Sequence, residues 1–148
     1  MSKKSNKTGK DGDYMLEQQI GHLMRKANQR HTVIFAAAMK EVDLTPMQFA
    51  VMAKIKDEEE VSQNLLGRLA SMDPATVQGV VKRLAERDLI AAKPDVNDRR
   101  RHLWTLSKDG EKLLKKALPV AKQITESTLE PLSQSERQAF ARTLKKLT

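Results

Sequence analysis

The stretch DPATVQGVVKRLAER, residues 73–87, decides the fold that this sequence predicts. Asp73 is suited to cap a helix start, and Pro74 fits the first helical position, where its missing N–H is tolerated. Apolar residues then recur at spacings of three and four, and we expect this face to lie in a core: Val77, Val80, Val81 and Leu84.

The opposite face of this helix carries small and hydrogen-bonding side chains near its start, followed by cations. At about 100° per residue, it holds Ala75, Gln78, Gly79, Lys82 and Glu86, with Thr76 and Arg83 at its edges. Small side chains let a helix approach a DNA major groove, amides and hydroxyls contact base edges, and cations meet phosphates. The same pattern also fits an ordinary solvated helix face, so it does not decide the function alone.

Two further short helices precede this one. Thr45-Pro46-Met47-Gln48 has the pattern of a capping box with proline at the first helical position. Ser62 is suited to cap the next helix, which carries Leu65, Leu66 and Leu69. Three short helices joined by short links are typical of a helix-turn-helix core.

A β-hairpin with a basic tip follows the third helix. Residues 89–94 and 102–106 have the composition of strands, and Pro94 fits a strand end. The turn between them contains Arg99, Arg100 and Arg101, and an arginine at such a tip can enter the minor groove of DNA. We expect Asp98 to hold a neighbouring guanidinium in a bidentate pair. Helix and hairpin together favour DNA binding over a solvated run of charge.

Long helical patterns flank this core. Residues 14–40 predict one helix of about 40 Å, and part of its apolar stripe is expected to meet another chain. Ser107 begins a second long helix, which Pro119 is expected to kink, and Ser133 with Glu136 predicts a capping box for a last helix. Three residues of that last helix are expected to face inward: Phe140, Leu144 and Leu147. Residues 1–13 are polar and lysine-rich, and we expect a disordered arm that is either inert or in contact with phosphates.

Composition limits the possible functions. The chain has 148 residues, a net charge of +8 and 3% aromatic residues, which predicts an aliphatic core and a polyanionic partner. The absence of cysteine excludes disulfides, thiolate metal sites and cysteine nucleophiles. We find no pattern of a signal peptide or membrane span and expect a cytoplasmic protein without a membrane partner.

The stretch from Leu44 to Leu114 resembles the MarR family of winged helix-turn-helix regulators. The motifs that carry the resemblance are Leu44-Thr45-Pro46-Met47-Gln48-Phe49, Asp73-Pro74-Ala75-Thr76-Val77, Lys82-Arg83-Leu84, Asp88-Leu89-Ile90, Asp98-Arg99-Arg100 and Leu106-Ser107-Lys108-Asp109-Gly110. The resemblance implies a mainly α fold with a small β-hairpin wing. Residues 44–106 would form the DNA-binding lobe, and residues 14–43 and 107–148 would form the helices of a homodimer.

The resemblance also implies a palindromic double-stranded operator, with half-sites about 10 bp apart. Asp98 and Arg100 match the family's characteristic pair in the wing. Gly79 departs from the family, where many members carry a longer side chain. The resemblance therefore implies direct DNA contacts from Thr76, Gln78 and Arg83 more than from Gly79. The implied DNA contacts are Ser62, Gln63, Asn64, Pro74, Ala75, Thr76, Gln78, Gly79, Lys82, Arg83, Lys93, Asp98, Arg99, Arg100 and Arg101.

A small-molecule effector is a third implication, in the form of an aromatic carboxylate or its acyl-coenzyme A thioester. Arg25, Lys26 and Arg30 are candidates to hold its carboxylate or phosphate. The alternative is that the methionines are core residues and the cations are solvated. The implied ligand-binding residues are His22, Arg25, Lys26, Asn28, Gln29, His31, Met47, Phe49 and Met52.

Two other functions compete with a ligand-controlled repressor. A non-specific or architectural basic DNA-binding protein would share the charge but not the preference for an operator. An enzyme is not expected, since the sequence lacks a phosphate-binding glycine-rich loop and a nucleophile elbow. The spacing of His22, His31 and His102 does not suggest a metal site, and no cofactor is expected.

Overall fold

The computed structural model describes residues 14–148, so the predicted basic arm of residues 1–13 lies outside the described residues. Six α-helices and three short strands follow one another in the described part of the chain. They are α1 (Ile20–Ala38), α2 (Pro46–Glu58), β1 (Val61–Ser62), α3 (Gln63–Leu69), α4 (Pro74–Glu86), β2 (Ile90–Pro94), β3 (His102–Leu106), α5 (Lys108–Leu129) and α6 (Gln134–Lys145).

The first helix is shorter than the predicted span of residues 14–40. A short 3-10 helix covers Leu16–Gln18, and extended backbone at Gln19 separates it from α1. The three-and-four spacing of apolar residues continues across this break. Such spacing does not show where helical hydrogen bonding begins, so the sequence pattern predicted too early a start. At the other end, Asp43 has a φ of 52°, in the left-handed region, where the chain turns toward α2.

The predicted helix starts are confirmed by their hydrogen bonds. Thr45 Oγ1 accepts from the Gln48 N–H at 3.2 Å, and the Thr45 N–H donates to Gln48 Oε1 at 3.1 Å, which completes the capping box of α2. The side chains of Ser62, Asp73 and Ser107 cap α3, α4 and α5. These caps satisfy backbone N–H groups that lack a partner within the helix.

A three-stranded antiparallel sheet replaces the predicted two-stranded hairpin. β2 pairs with β3 from Ile90 opposite Leu106 to Pro94 opposite His102, as a hairpin requires. β1 adds a third strand on the other side of β3, with Val61 opposite Trp104. A strand of two residues has no alternation to detect, which is why the sequence pattern missed it.

The core is aliphatic, as expected, and lies where α2, α3 and α4 meet the sheet and α5. All four predicted inward residues of α4 are buried, and they pack with α2 and α3: Val51, Met52, Ile55, Leu66, Val77, Val80, Val81 and Leu84. This packing fixes the orientation of α4 and leaves its opposite face outside.

The last helix corrects one expectation. Its capping box of Ser133 and Glu136 is present, but Phe140, Leu144 and Leu147 are 46%, 39% and 69% exposed rather than inward. Together with apolar residues of α1 they line a groove of about 280 Å³. These side chains face away from the core of their own chain. No helix in residues 14–148 is long and apolar enough to cross a bilayer.

Candidate nucleic-acid interface and ligand cavity

The outer face of α4 is free, as the sequence predicts. Ala75, Gln78 and Lys82 are exposed, and Gly79 is half-buried. A Cβ atom placed on Gly79 would meet no heavy atom within 4 Å. The helix therefore presents a narrow, open surface at this point, which suits close approach to another molecule.

The start of α4 is held by one carboxylate. Asp73 accepts hydrogen bonds from the Thr76 N–H and from the Thr76 hydroxyl, each at 2.8 Å. These two bonds, the backbone one first, lower the pKa of Asp73. Because the hydroxyl proton of Thr76 is already donated, Thr76 can offer a DNA base an acceptor but not a donor.

The cap of α3 and the first residues of that helix differ in exposure. Ser62 is buried, at 8% exposure, and its hydroxyl accepts from the Leu65 N–H at 3.3 Å. Gln63 is half-buried and Asn64 is exposed. The hydroxyl of Ser62 thus caps α3 from a buried position. This position does not favour the DNA contact that the resemblance implies for Ser62.

The turn of the wing places all three arginines in solvent. The Asp98 carboxylate accepts from the Arg100 N–H at 3.0 Å, and the Asp95 N–H donates to the Arg101 carbonyl at 3.0 Å. Among residues 14–148, no ion pair joins Asp98 to an arginine. The expected bidentate pair is therefore wrong: Asp98 holds the backbone of the turn and leaves the guanidinium of Arg100 available.

Lys93 is engaged within the chain. Its ammonium is paired with the carboxylate of Glu60, beyond the end of α2. Since both side chains of that pair are about half exposed, the pair contributes little to the stability of the fold. A DNA phosphate would have to compete with Glu60 for Lys93.

A cavity of about 470 Å³ lies where α1, the start of α2 and α4 meet. Its volume is in the range of sites for small ligands. Three of the predicted ligand-binding residues line it, namely Asn28, His31 and Met47. The other lining residues are Thr32, Thr45, Pro46, Gln48, Val80 and Arg83.

The remaining predicted ligand residues do not line this cavity. His22, Arg25, Lys26 and Gln29 lie on other parts of α1, and Arg25 Nη2 lies 3.2 Å from His22 Nδ1. Phe49 packs edge-on against Phe35 at 6.3 Å between ring centroids, and Met52 is fully buried. For Phe49 and Met52, the interpretation as core residues is the one that the packing supports.

Arg30 is also occupied elsewhere. Its guanidinium donates to the carbonyl oxygens of Ser127, at 3.0 Å, and Thr128 near the end of α5. His31 Nδ1 lies 2.9 Å from the hydroxyl of Thr128. The contacts of both residues join α1 to α5, and the contact with Thr128 holds the His31 ring at the cavity.

Sequence reasoning missed six of the lining residues, namely Thr32, Thr45, Pro46, Gln48, Val80 and Arg83. Arg83 is the one lining side chain with a permanent charge, and no acidic residue lines the cavity. Such a cavity favours an anion over a cation. In residues 14–148, no group of three histidine, aspartate or glutamate side chains is placed to hold a metal ion.

Comparison with known proteins gives the relatives of this chain. The family model described as MarR family matches residues 42–101. The HTH-type transcriptional repressor NicR of Pseudomonas putida is 37% identical over 150 residues, which cover 99% of this chain and 95% of NicR. The matched region extends beyond the DNA-binding lobe to the flanking helices.

Similar solved structures are also those of transcriptional regulators. A probable transcriptional regulator from Pseudomonas aeruginosa has a TM-score of 0.88 and 40% identity, covering 90% of this chain and 100% of that one. BpsR of Bordetella bronchiseptica, whose DNA binding is regulated by 6-hydroxynicotinic acid, has a TM-score of 0.87 and 40% identity, covering 92% and 97%. The relatives are regulators rather than enzymes, and the chain is itself a member of the MarR family of DNA-binding transcriptional regulators.

Proposed function

We propose that the protein is a cytoplasmic, homodimeric repressor that binds a palindromic operator and is released from it by a small aromatic carboxylate. One observation carries the proposal. The ligand cavity is lined on one side by α4, the helix whose outer face is free for DNA. A ligand in the cavity therefore acts directly on the element that contacts DNA.

The DNA contacts follow from the exposed side chains. Gln78 offers an amide that matches the edge of an adenine, and Lys82 offers a charge to a phosphate. Arg100 at the wing tip is free to enter a minor groove. Gln63 and Asn64 at the start of α3, together with Pro74 and Ala75, would approach the backbone of the same duplex. Ser62 is omitted because it is buried.

The dimer follows from the exposed apolar groove. Ile20, Leu23 and Met24 of α1 are 63%, 45% and 48% exposed beside the apolar residues of α6. Clustered apolar side chains of this size usually mark an interface. A second copy with the same groove would cover them and set two α4 helices about one turn of DNA apart.

The ligand class follows from the cavity lining. Arg83 supplies a cation for a carboxylate, Asn28 and His31 supply polar groups for ring substituents, and Met47 and Val80 supply apolar walls. The relation to BpsR, whose DNA binding is regulated by 6-hydroxynicotinic acid, supports a hydroxylated pyridine carboxylate of that kind. We favour the free acid over a coenzyme A thioester, because Arg25, Lys26 and Arg30 do not line the cavity.

The test uses operator DNA selected by the protein from a random duplex library. Fluorescence anisotropy should show preference for the selected duplex over a scrambled one by about three orders of magnitude or more. Addition of 6-hydroxynicotinic acid should release the selected duplex. Equal affinity for both duplexes would instead indicate a non-specific DNA-binding protein, and binding unaffected by any pyridine or benzene carboxylate would refute the effector.

A further inference from the structure

Arg83 belongs to two surfaces at once. It lies on α4 at the edge of the face that is free for DNA, and it lines the cavity on the other side of that edge. Its side chain is exposed, and no ion pair in residues 14–148 engages its guanidinium. The group is therefore available to an anion on either side.

Gly79 gives this side chain room to move between the two sides. Residues four apart on a helix lie above one another, and side chains lean toward the helix start, so the side chain of Arg83 leans toward the turn that holds Gly79. Gly79 has no side chain, and the space that its Cβ would occupy is empty to 4 Å. Gly79 therefore places no side-chain atom between the two positions that we consider for the Arg83 guanidinium.

We infer that Arg83 is the switch residue, which binds a phosphate of the operator in the free protein and the carboxylate of the effector in the loaded one. This inference rests on the proposed function. One guanidinium cannot make a bidentate contact with both anions, so effector and operator compete for it. Binding of the effector in the cavity removes one phosphate contact from each protomer, and so two from the dimer.

The experiment compares two probes and two positions. 6-Hydroxynicotinic acid is compared with its neutral amide, which has the same ring but no negative charge. Arg83→Gln is compared with Lys82→Gln, which removes a neighbouring exposed cation that does not line the cavity. Calorimetry without DNA measures binding of each probe, and anisotropy measures operator binding against salt concentration.

Arg83→Gln should weaken binding of the acid by about 10- to 100-fold and change binding of the amide by less than about threefold. Lys82→Gln should weaken operator binding but leave binding of the acid unchanged. Both variants should reduce the salt slope of operator binding by about 0.9 per lost phosphate contact. Arg83→Lys should keep operator binding but respond less to the acid, because an ammonium cannot form the bidentate pair.

Two results would overturn the inference and separate it from the proposed function. If the acid releases wild type and Arg83→Gln equally well, or if Arg83→Gln loses acid and amide alike, Arg83 is not the switch while the repressor assignment stands. If the acid does not release wild type at all, the proposed function falls, and this inference with it.

Discussion

At the scale of single residues, two glycines in helices show how differently one substitution can act. In the first turn of α5, a Cβ on Gly110 would lie 2.0 Å from the carbonyl oxygen of Leu89, which is backbone and cannot move aside. A Cβ on Gly79 would meet nothing within 4 Å. Alanine favours the helical backbone over glycine at either site. The atoms around each glycine therefore decide whether the substitution raises or lowers the free energy of unfolding.

We therefore expect Gly110→Ala to lower the free energy of unfolding by about 1–3 kcal/mol, the range for an overpacked site. Gly79→Ala should raise it by about 0.5–1 kcal/mol, as for glycine to alanine within a helix. Urea denaturation followed by circular dichroism measures both. Equal effects at the two sites would contradict the close approach of α5 to Leu89.

Asp73 gives a prediction about pH. Its pKa is lowered by hydrogen bonds from Thr76, so its ionised form stabilises the folded state. That stabilisation is present above the pKa of the unfolded chain and is lost as the pH falls through the lowered pKa of the folded chain. Asp73→Asn removes the charge at every pH but keeps a cap. The melting temperatures of wild type and Asp73→Asn should therefore differ at pH 7 and converge at acid pH. A difference that does not change with pH would show that the charge of Asp73 plays no part.

At the scale of elements, the wing and α4 are held in shape by groups other than the side chains that they offer to DNA. Asp98 and Asp95 accept backbone N–H groups within the turn, so the shape of the turn does not depend on the arginines. The side chains of α4 project from a helix that four buried residues hold in place. A substitution at the tip of the wing or on the outer face of α4 should thus change DNA binding without changing the fold.

Arg100→Ala should weaken operator binding by about 10- to 100-fold, through loss of a charged contact, and leave the melting temperature unchanged. Anisotropy and thermal unfolding measure the two quantities. Asp98→Ala is the companion variant, since it keeps Arg100 but removes the acceptor for its backbone. Wild-type affinity in Arg100→Ala would remove the wing from the interface.

Gln78→Ala should act on specificity. We expect it to relax base preference at one symmetric pair of operator positions, with a loss of about 1–3 kcal/mol of discrimination there. Repeating the selection from a random duplex library with this variant measures the change. If affinity falls equally for all sequences, Gln78 contacts the DNA backbone and not a base.

At the scale of the whole molecule, the exposed apolar groove between α1 and α6 is where we propose that a second copy of this chain docks. The single chain leaves Leu23 and Phe140 nearly half exposed on adjacent helices, and the groove between them has almost no polar lining. The proposed second copy would cover the groove of each protomer and so account for the exposure, and the two-fold pairing of two α4 helices would call for a palindromic operator.

Leu23→Glu should therefore dissociate the dimer, because it buries a charge in an apolar interface. Sedimentation equilibrium should show monomers, and operator affinity should fall sharply as the second half-site is lost. Val96→Glu places the same charge on the wing, where Val96 is 95% exposed, and should leave the dimer intact. A dimer of unchanged strength in Leu23→Glu would place the interface elsewhere.

The sequence by itself determined what depends on neighbours along the chain. The helix caps at Thr45, Ser62, Asp73 and Ser107, the buried face of α4 and the hairpin follow from local propensity and periodicity, and the structure confirms them. The start of α1 and the strand Val61–Ser62 were missed, because a break in the backbone and a strand of two residues leave no periodic pattern.

Only the tertiary structure decided which side chains share a cavity or an interface. Arg83 lines the cavity because α4 packs beside α1 and the start of α2, and no spacing along the chain brings residues 28, 47 and 83 together. Arg30 donates to carbonyl oxygens at the end of α5, almost one hundred residues later, and does not line the cavity. Local sequence sets the direction of a side chain along its own helix, but the partner of that side chain is set by how the helices pack.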